Sequence, residues 1–484
     1  MPLRTTSPAA PRFEVLTEDE IEQTHRAVLK VLGEIGLDFP HEEALALFKK
    51  AGAAVEGDRV RIPAGLLADA LAEAPSSITL YGRDGEPAMV LEGYEVHFGT
   101  YGTAPYAYDP TTGERKRATT RTIADAARVC DYLPNIEWSM PMAVPSDVPV
   151  PTADRHQFYH AVANNQKTIY SSAYTPEGMV DAVEMAAVIA GGREVLRQRP
   201  FFTTGINPST PLRYGREVIG KLFVMAEAGL PMIFNSCPMA GATAPVTLAA
   251  TMVVALAEGL AALTLAQLAC PGVPVIPGGG PTTMDMRTTV CAQGAPELCL
   301  LVAGCAQMYR TYGVPSYGTA GGTNSKVVDA QAAIEATNSI LSAALAGSNL
   351  VHCIGAIEDC LTVSLEAFVL GDEIVAMARR IAGGLAVDEE TLALDVLSLV
   401  GPGGHFIDQE HTLHHFREHH YSGLINRQMY DAWALSGAKT MEDRMREKVH
   451  WILENHYPEP LPEDVRRELE HIIERAEAQI STSR

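Results

Sequence analysis

The stretch Met232-Ile-Phe-Asn-Ser236, the long apolar segment 246–269, and then Val273-Pro-Val-Ile276 decide the fold. A run too short for a helix is followed by a segment of helical length, and then by a second short run. Short apolar runs bounded by turn residues read as buried strands. Working outward, the same alternation repeats. Strand-like runs fall at 95–99, 136–142, 168–172, 201–205, 232–236, 273–276, 315–318 and 349–354. Helical segments follow at 122–132, 155–164, 178–190, 214–228, 246–269, 296–312, 329–346 and 365–381. Eight strands, each followed by one helix, is the arithmetic of an α/β fold, the (β/α)8 TIM barrel. An open doubly wound sheet is the competing architecture, but no strand run is followed by the G-x-G-x-x-G turn of its dinucleotide-binding members.

The flanks read as helical. Thr17 and Glu20 have the spacing of a capping box opening a helix over 18–32, Gly36 is a stop signal, and further helices are expected over 41–51 and 63–72. The expected organisation is a mainly helical lead-in at 1–92, the barrel at 93–386, and a C-terminal helical segment at 387–484 that packs on it. With 59 acidic against 37 basic residues the net charge is −22, and Arg115-Lys116-Arg117 is the longest basic cluster, so a nucleic-acid partner is not expected. Residues 1–11 lack an apolar core and a small-residue cleavage site. The most apolar window, 248–270, is interrupted by Glu258 and Gln267 and reads as a buried helix, not a membrane span. Eight cysteines without a C-x-x-C pair read as buried free thiols, and a cytoplasmic homo-oligomer is expected.

In such a barrel, reactive groups sit where strands end. Those positions are Tyr101, Met142, Tyr174, Asn207, Asn235, Gly278, Gly279, Gly280, Gly321, Gly322, Asn324, His352 and Glu358. The set is nearly neutral. His352 lies in an apolar strand, where an unsatisfied ring is costly to bury, so it is either a hydrogen-bonded core histidine or a functional one. The runs Pro277-Gly-Gly-Gly-Pro281 and Gly321-Gly322 permit tight turns, close approach of a phosphate, or an unencumbered mouth for a bulky macrocycle. Tyr101, Tyr106 and Tyr108 follow the first strand, with Trp138, Tyr170 and Tyr174 near the next two. Aromatic faces attract quaternary ammonium, although ordinary packing explains any one of these rings. The run His411–His420 places histidines at i,i+4 on a helical face, but lacks an orienting acid or third ligand. It reads as a solvated helix, and no metal of the protein's own is expected.

Taken together, several blocks resemble the trimethylamine methyltransferase (MttB-like) family. They are Val31-Leu-Gly-Glu-Ile-Gly-Leu-Asp-Phe39, Ala51-Gly-Ala53, Arg61-Ile-Pro63, Gly321-Gly-Thr-Asn-Ser-Lys-Val-Val-Asp-Ala-Gln331, Gly401-Pro-Gly-Gly-His-Phe406 and His411-Thr-Leu413. The resemblance spans almost the whole chain. It implies a barrel that receives a methylamine-type substrate and docks a cognate corrinoid-binding protein carrying cobalamin. Founding members of the family carry pyrrolysine, whereas this chain has only standard residues, and the neighbourhood 329–336 is the best region for the replaced position. A quaternary ammonium leaves as a neutral amine without a proton, so a member lacking pyrrolysine is similar to betaine demethylases. Glycine betaine or a related betaine is the expected donor. Proline betaine, carnitine and trimethylamine are alternatives. On this reading Tyr101 and its aromatic neighbours hold the trimethylammonium head, with Tyr174 and Glu358 in the substrate site. His352, with Asn207 or Asn324, binds a carboxylate or orients the substrate, and Gly278, Gly279, Gly280, Gly321 and Gly322 admit the corrin. Two competing classes are a zinc enzyme built on the histidine run and a non-catalytic betaine-binding or corrinoid-docking subunit.

Overall fold

The computed structural model describes residues 10–482; most of the 1–11 stretch considered above as a possible secretion signal lies outside them. Eight parallel strands close into a barrel: β1 (His97–Thr100), β2 (Trp138–Ser139), β3 (Thr168–Tyr170), β4 (Phe202–Ile206), β5 (Met232–Ser236), β6 (Val275–Gly279), β7 (Tyr317–Thr319) and β8 (Leu350–Ile354). They are ordered as in the chain, and β8 pairs back onto β1. All eight strand runs anticipated from the periodicity are barrel strands. The helices that follow them in turn are α1 (Thr120–Tyr132), α2 (Ala153–Ala163), α3 (Pro176–Ala190), α4 (Arg216–Ala228), α5 (Leu248–Ala269), α6 (Pro296–Thr311), α7 (Ala330–Ala346) and α8 (Leu365–Ala382). Short side chains start several of them: the hydroxyls of Thr119, Thr175 and Ser364 and the carboxylate of Asp329 each accept a backbone N–H of the first turn.

The lead-in contains the three expected helices, Glu18–Lys30, Glu42–Lys50 and Ala64–Glu73, and the Thr17–Glu20 capping box is formed. It also contains what helical periodicity did not anticipate, a three-stranded sheet and a β-hairpin. The hairpin, Ile78–Tyr81 with Pro87–Leu91, stoppers the lower end of the barrel. Its Ile78, Leu80, Met89 and Leu91 join Trp138, Tyr170, Ile233, Ile276, Tyr317 and Leu350 in one buried cluster. The barrel is therefore closed below and open above.

Helix α5 is long and apolar enough to cross a membrane, yet 78% of its apolar window is buried here. The three lead-in helices pack against it. Its one acid, Glu258, is fully buried and accepts hydrogen bonds from Ser236 Oγ, Thr210 Oγ1 and the Leu212 N–H. Burial still pushes that carboxyl up, because three hydrogen bonds only partly replace water. In the C-terminal region Met441–Asn455 packs against α8 and α1, and Glu463–Thr482 against α3.

The seam between the first and last strands is clamped by Asn349. Its Oδ1 accepts the Ser316 N–H at 2.9 Å, while Nδ2 donates to the carbonyls of Glu92 at 3.1 Å and Glu95 at 2.9 Å. One buried amide thus ties the entries to β7, β8 and β1. Replacing Asn349 with Ala leaves these buried groups without partners, and we expect a loss of about 3 kcal/mol. The urea unfolding midpoint measures it; a loss below about 1 kcal/mol would show that the clamp is dispensable.

Candidate active site

A cavity of about 460 Å³ opens at the C-terminal ends of the strands. Every strand contributes to it: Tyr101 beyond β1, Met140 beyond β2, Tyr170 and Ser172 from β3, Asn207 from β4, Asn235 and Cys237 from β5, Gly280 from β6, Thr319 from β7, and His352 and Cys353 from β8. Cys291 and Gln293 enter from the loop after β6, and Asp359 and Cys360 from the loop after β8. Among the described residues lining it there is one carboxylate, Asp359, and no Lys or Arg.

Consecutive strand residues point to opposite faces, so His352 and Cys353 should not share a cavity. They do because β8 carries a bulge. Between the pairs Val351–Phe98 and Ile354–Thr100, β8 spends one residue more than β1, and Cys353 takes a φ of +103°. The local distortion turns both side chains toward the mouth.

His352 is 7% exposed, and its ring stacks on Tyr317 at 4.8 Å between centroids. Its Nδ1 lies 3.0 Å from the Gly318 carbonyl and 3.3 Å from Thr319 Oγ1. A carbonyl can only accept, so Nδ1 carries the proton and Nε2 is the bare nitrogen. Burial pushes the ring's pKa down to about 4, against 6.5 ordinarily. At neutral pH it is an uncharged acceptor, unsuited to holding a carboxylate.

Asp359 is the middle residue of three consecutive non-glycine residues in the left-handed region, Glu358, Asp359 and Cys360, with φ of 54°, 53° and 66°. Such a run costs free energy and persists only when its surroundings hold it. Here Glu358 accepts from Arg115 Nε at 2.8 Å and from Thr362 Oγ1, and the Glu358 and Asp359 N–H groups donate to the carbonyls of Ser325 and Thr323. Burial raises the Asp359 carboxyl, opposed by the Cys291 thiol and the charge of Lys326. Four thiols line the same cavity as this acid: Cys237, Cys291, Cys353 and Cys360, the last two with their Sγ atoms 3.5 Å apart.

Of the residues expected at the site, Tyr101, Asn207, Gly280 and His352 line the cavity together. Tyr174 does not; it is 41% exposed, with its hydroxyl toward Gln157. Glu358 props the turn that carries Asp359. Asn324 supports the other loop, accepting the Gly294 N–H and donating to the Cys291 carbonyl. The glycines answer a packing need. A Cβ on Gly278 would lie 1.9 Å from Tyr317 O, and one on Gly279 1.9 Å from Ser236 O. Gly321 and Gly322 abut Ile354 and the Cys353 thiol. Tyr106 is covered by Arg115, and Tyr108 donates to the Lys326 carbonyl. Trp138 belongs to the barrel interior. The histidine run divides: the rings of His411 and His415 lie 4.3 Å apart at a tilt of 33°, and His420 pairs with Glu373. Among the described residues no three His, Cys, Asp or Glu side chains converge on a metal position.

Because the unfolded chain protonates this histidine near pH 6.5 and the native one near 4, its contribution to stability is intact above pH 6.5. It is lost progressively as pH falls between these values, by about 3 kcal/mol in all. We expect that slope in urea unfolding between pH 7 and 4.5, and its disappearance in His352→Gln; equal slopes in the two proteins would contradict the neutral buried ring.

The family model for trimethylamine methyltransferase (MTTB) matches residues 2–481. The chain is 36% identical over 468 residues to a glycine betaine methyltransferase of Desulfitobacterium hafniense strain Y51, covering 96% of this chain and 97% of that one. It is 35% identical to the trimethylamine methyltransferase MttB of D. hafniense strain DCB-2, covering 97% and 95%. To MttB of Methanosarcina barkeri it is 32% identical, covering 96% and 95%. The M. barkeri monomethylamine methyltransferase MtmB superposes with a TM-score of 0.53 at 13% identity, covering 95% of this chain and 89% of that one, which is a likeness of fold. The protein is a methyltransferase, and it belongs to the trimethylamine methyltransferase family.

Proposed function

We propose that the protein moves a methyl group from a quaternary ammonium donor, glycine betaine or a related betaine, to Co(I) of a corrinoid carried by a separate, cognate protein. The observation that supports this is the charge of the cavity: one carboxylate, Asp359, beside the aromatic rings of Tyr101 and Tyr170, with no cationic side chain in the lining among the described residues. A trimethylammonium group has no N–H to donate. Aromatic faces and a single counter-charge are the partners that suit it. A relative named for glycine betaine supports the quaternary donor, and one named for trimethylamine supports a methylated amine more broadly. Free cysteines throughout the chain fit a reducing, cytoplasmic setting.

In the reaction the C–N bond breaks, its electron pair stays on nitrogen, and the methyl carbon bonds to cobalt. A quaternary nitrogen leaves as a neutral amine and needs no acid. This chain's task is to hold the donor with one methyl toward the mouth and keep water away from the others. A carboxylate on the donor finds N–H donors in Asn207, Asn235 and Gln293. His352, as an acceptor stacked on Tyr317, fixes orientation and gives shape to the cavity floor. A tertiary amine would need a proton on nitrogen, and Asp359, serving as an ionised counter-charge, has none to give. The cavity has the size for one small amine. The corrin belongs over the mouth, since Gly278 and Gly279 lie against backbone.

The decisive assay mixes the enzyme with cob(I)alamin and glycine betaine, proline betaine, carnitine, γ-butyrobetaine or trimethylamine, and follows conversion of the cob(I)alamin spectrum. A betaine should react and yield its dimethyl product. Preference for trimethylamine would overturn the donor assignment, and absence of transfer to any acceptor would leave a binding subunit. His352→Ala should lower the rate about 100-fold through misplacement of the donor. Asp359→Asn should raise KM about 10-fold, roughly 1.4 kcal/mol, and narrow the preference for a betaine over the tert-butyl carboxylate that lacks its positive charge. An unchanged preference would remove Asp359 from cation recognition.

A further inference from the structure

Two of the cavity's thiols are neighbours in a way the proposed reaction does not use. The chain runs Cys353-Ile-Gly-Ala-Ile-Glu-Asp-Cys360 and doubles back on itself, with Ala356–Ile357 pairing antiparallel to Thr362–Val363. That hairpin returns Cys360 to the end of β8, where its Sγ lies 3.5 Å from the Sγ of Cys353. Both sulfurs line the cavity. A disulfide holds its sulfurs about 2.05 Å apart, so an approach of about 1.5 Å would join these two. A side-chain rotation with a small shift of the turn supplies that distance, and the turn lies at the surface of the mouth, where Leu361 is exposed. The other two cavity thiols are engaged elsewhere: Cys237 donates to Asn235 Oδ1 at 3.2 Å, and Cys291 to Gln293 Oε1 at 3.7 Å.

Two thiols held this close act as one redox unit. Cys353 is buried and Cys360 half-buried on the turn, so an oxidant small enough to enter the mouth reaches the pair from the Cys360 side. With hydrogen peroxide the balance is closed. One thiolate of the pair attacks an oxygen; the S–O bond forms, the O–O bond breaks and hydroxide leaves. The second thiolate attacks that sulfur; the S–S bond forms, the S–O bond breaks and a second hydroxide leaves. The two thiol protons turn both hydroxides into water, and two electrons have passed from sulfur to oxygen. A dithiol reductant reverses the change. The hydrogen bond to Cys353 and burial push the Cys360 thiol up, so the pair withstands brief exposure and answers to sustained oxidant. Closing the ring also moves the groups beside both sulfurs. Asp359 precedes Cys360, His352 precedes Cys353, and Gln293 Nε2 donates to the Cys353 sulfur at 3.5 Å.

We infer that Cys353 and Cys360 form a reversible oxidation site for hydroperoxides, and that their disulfide weakens the hold of the cavity on its donor. The second half rests on the proposed function, which sets Asp359, His352 and Gln293 around the donor; the first half does not. The full chain, reduced and then freed of reductant, is treated with hydrogen peroxide. Thiol titration in denaturant should fall from eight to six. After alkylation and cleavage at Glu358, the peptides bearing Cys353 and Cys360 should be joined, and dithiothreitol should part them and restore all eight thiols. In calorimetric titration glycine betaine should bind the oxidised protein about 10-fold more weakly and recover with dithiothreitol. Cys360→Ser should show one affinity before and after peroxide, whatever its value. Retention of eight thiols, a bond to Cys237 or Cys291 instead, or unchanged betaine affinity in the oxidised protein overturns the inference. A protein that binds betaine in neither form overturns the donor reading and the second half with it, while the thiol count still decides the first. If Cys360→Ser does not fold, phenylarsine oxide, which two adjacent thiols chelate, decides: native mass spectrometry of the wild type should show one adduct per chain, lost after peroxide, and no adduct overturns the site.

Discussion

Closing a parallel sheet into a barrel requires its last strand to lie beside its first, and here both the stability of the closure and the shape of the cavity are set along that seam. At the lower end Asn349 gathers the entries to three strands with one amide. At the upper end β8 runs one residue long against β1, and the excess is absorbed where His352 and Cys353 face the cavity. The seam is fixed below and distorted above. That division is physically sensible, because strain near a ligand needs a rigid anchor behind it.

The charge of the molecule is divided in the same spirit. A net −22 is carried on a surface that leaves the cavity with a single carboxylate among its described lining. Salt bridges support that carboxylate at one remove: Arg115 pairs with Glu358, and Glu358 braces the left-handed turn beside it. A cation in the cavity would therefore meet one fixed counter-charge and the faces of Tyr101 and Tyr170. The long-range field of the outer surface is screened within about 10 Å at ordinary salt and concerns encounter more than chemistry.

The barrel was legible because strand and helix differ in length and period, and every run from 95–99 to 349–354 obeys that difference. The lower hairpin was not, since its strands Ile78–Tyr81 and Pro87–Leu91 are short and its register depends on contacts inside a barrel not yet assembled. At the mouth, the strand ends singled out Tyr101, Asn207, Gly280 and His352, and these residues line the cavity. Gly278 and Gly279 carry the mark of ligand approach, but the close neighbour is the next strand's backbone. Glu358 was singled out and its neighbour Asp359, which lines the cavity, was not, because three successive non-glycine residues in left-handed conformation have no sequence signature. The eight cysteines read as buried free thiols, whereas Cys237 is exposed and Cys291 and Cys360 are only partly buried. Only the loops after β6 and β8, folding inward from far apart in sequence, bring Cys291 and Cys360 beside Cys237 and Cys353.

The burial of α5 has a consequence for how the chain must be made. Ribosomes deliver the three lead-in helices first, and they then wait through the synthesis of four strand–helix units before the helix they cover emerges. During that interval their apolar faces have no native partner. When Leu248–Ala269 does emerge, it is for a moment a membrane-like segment in water. The early helices are thus a cradle prepared in advance, and the vulnerable period in this protein's life is the time between making the cradle and filling it.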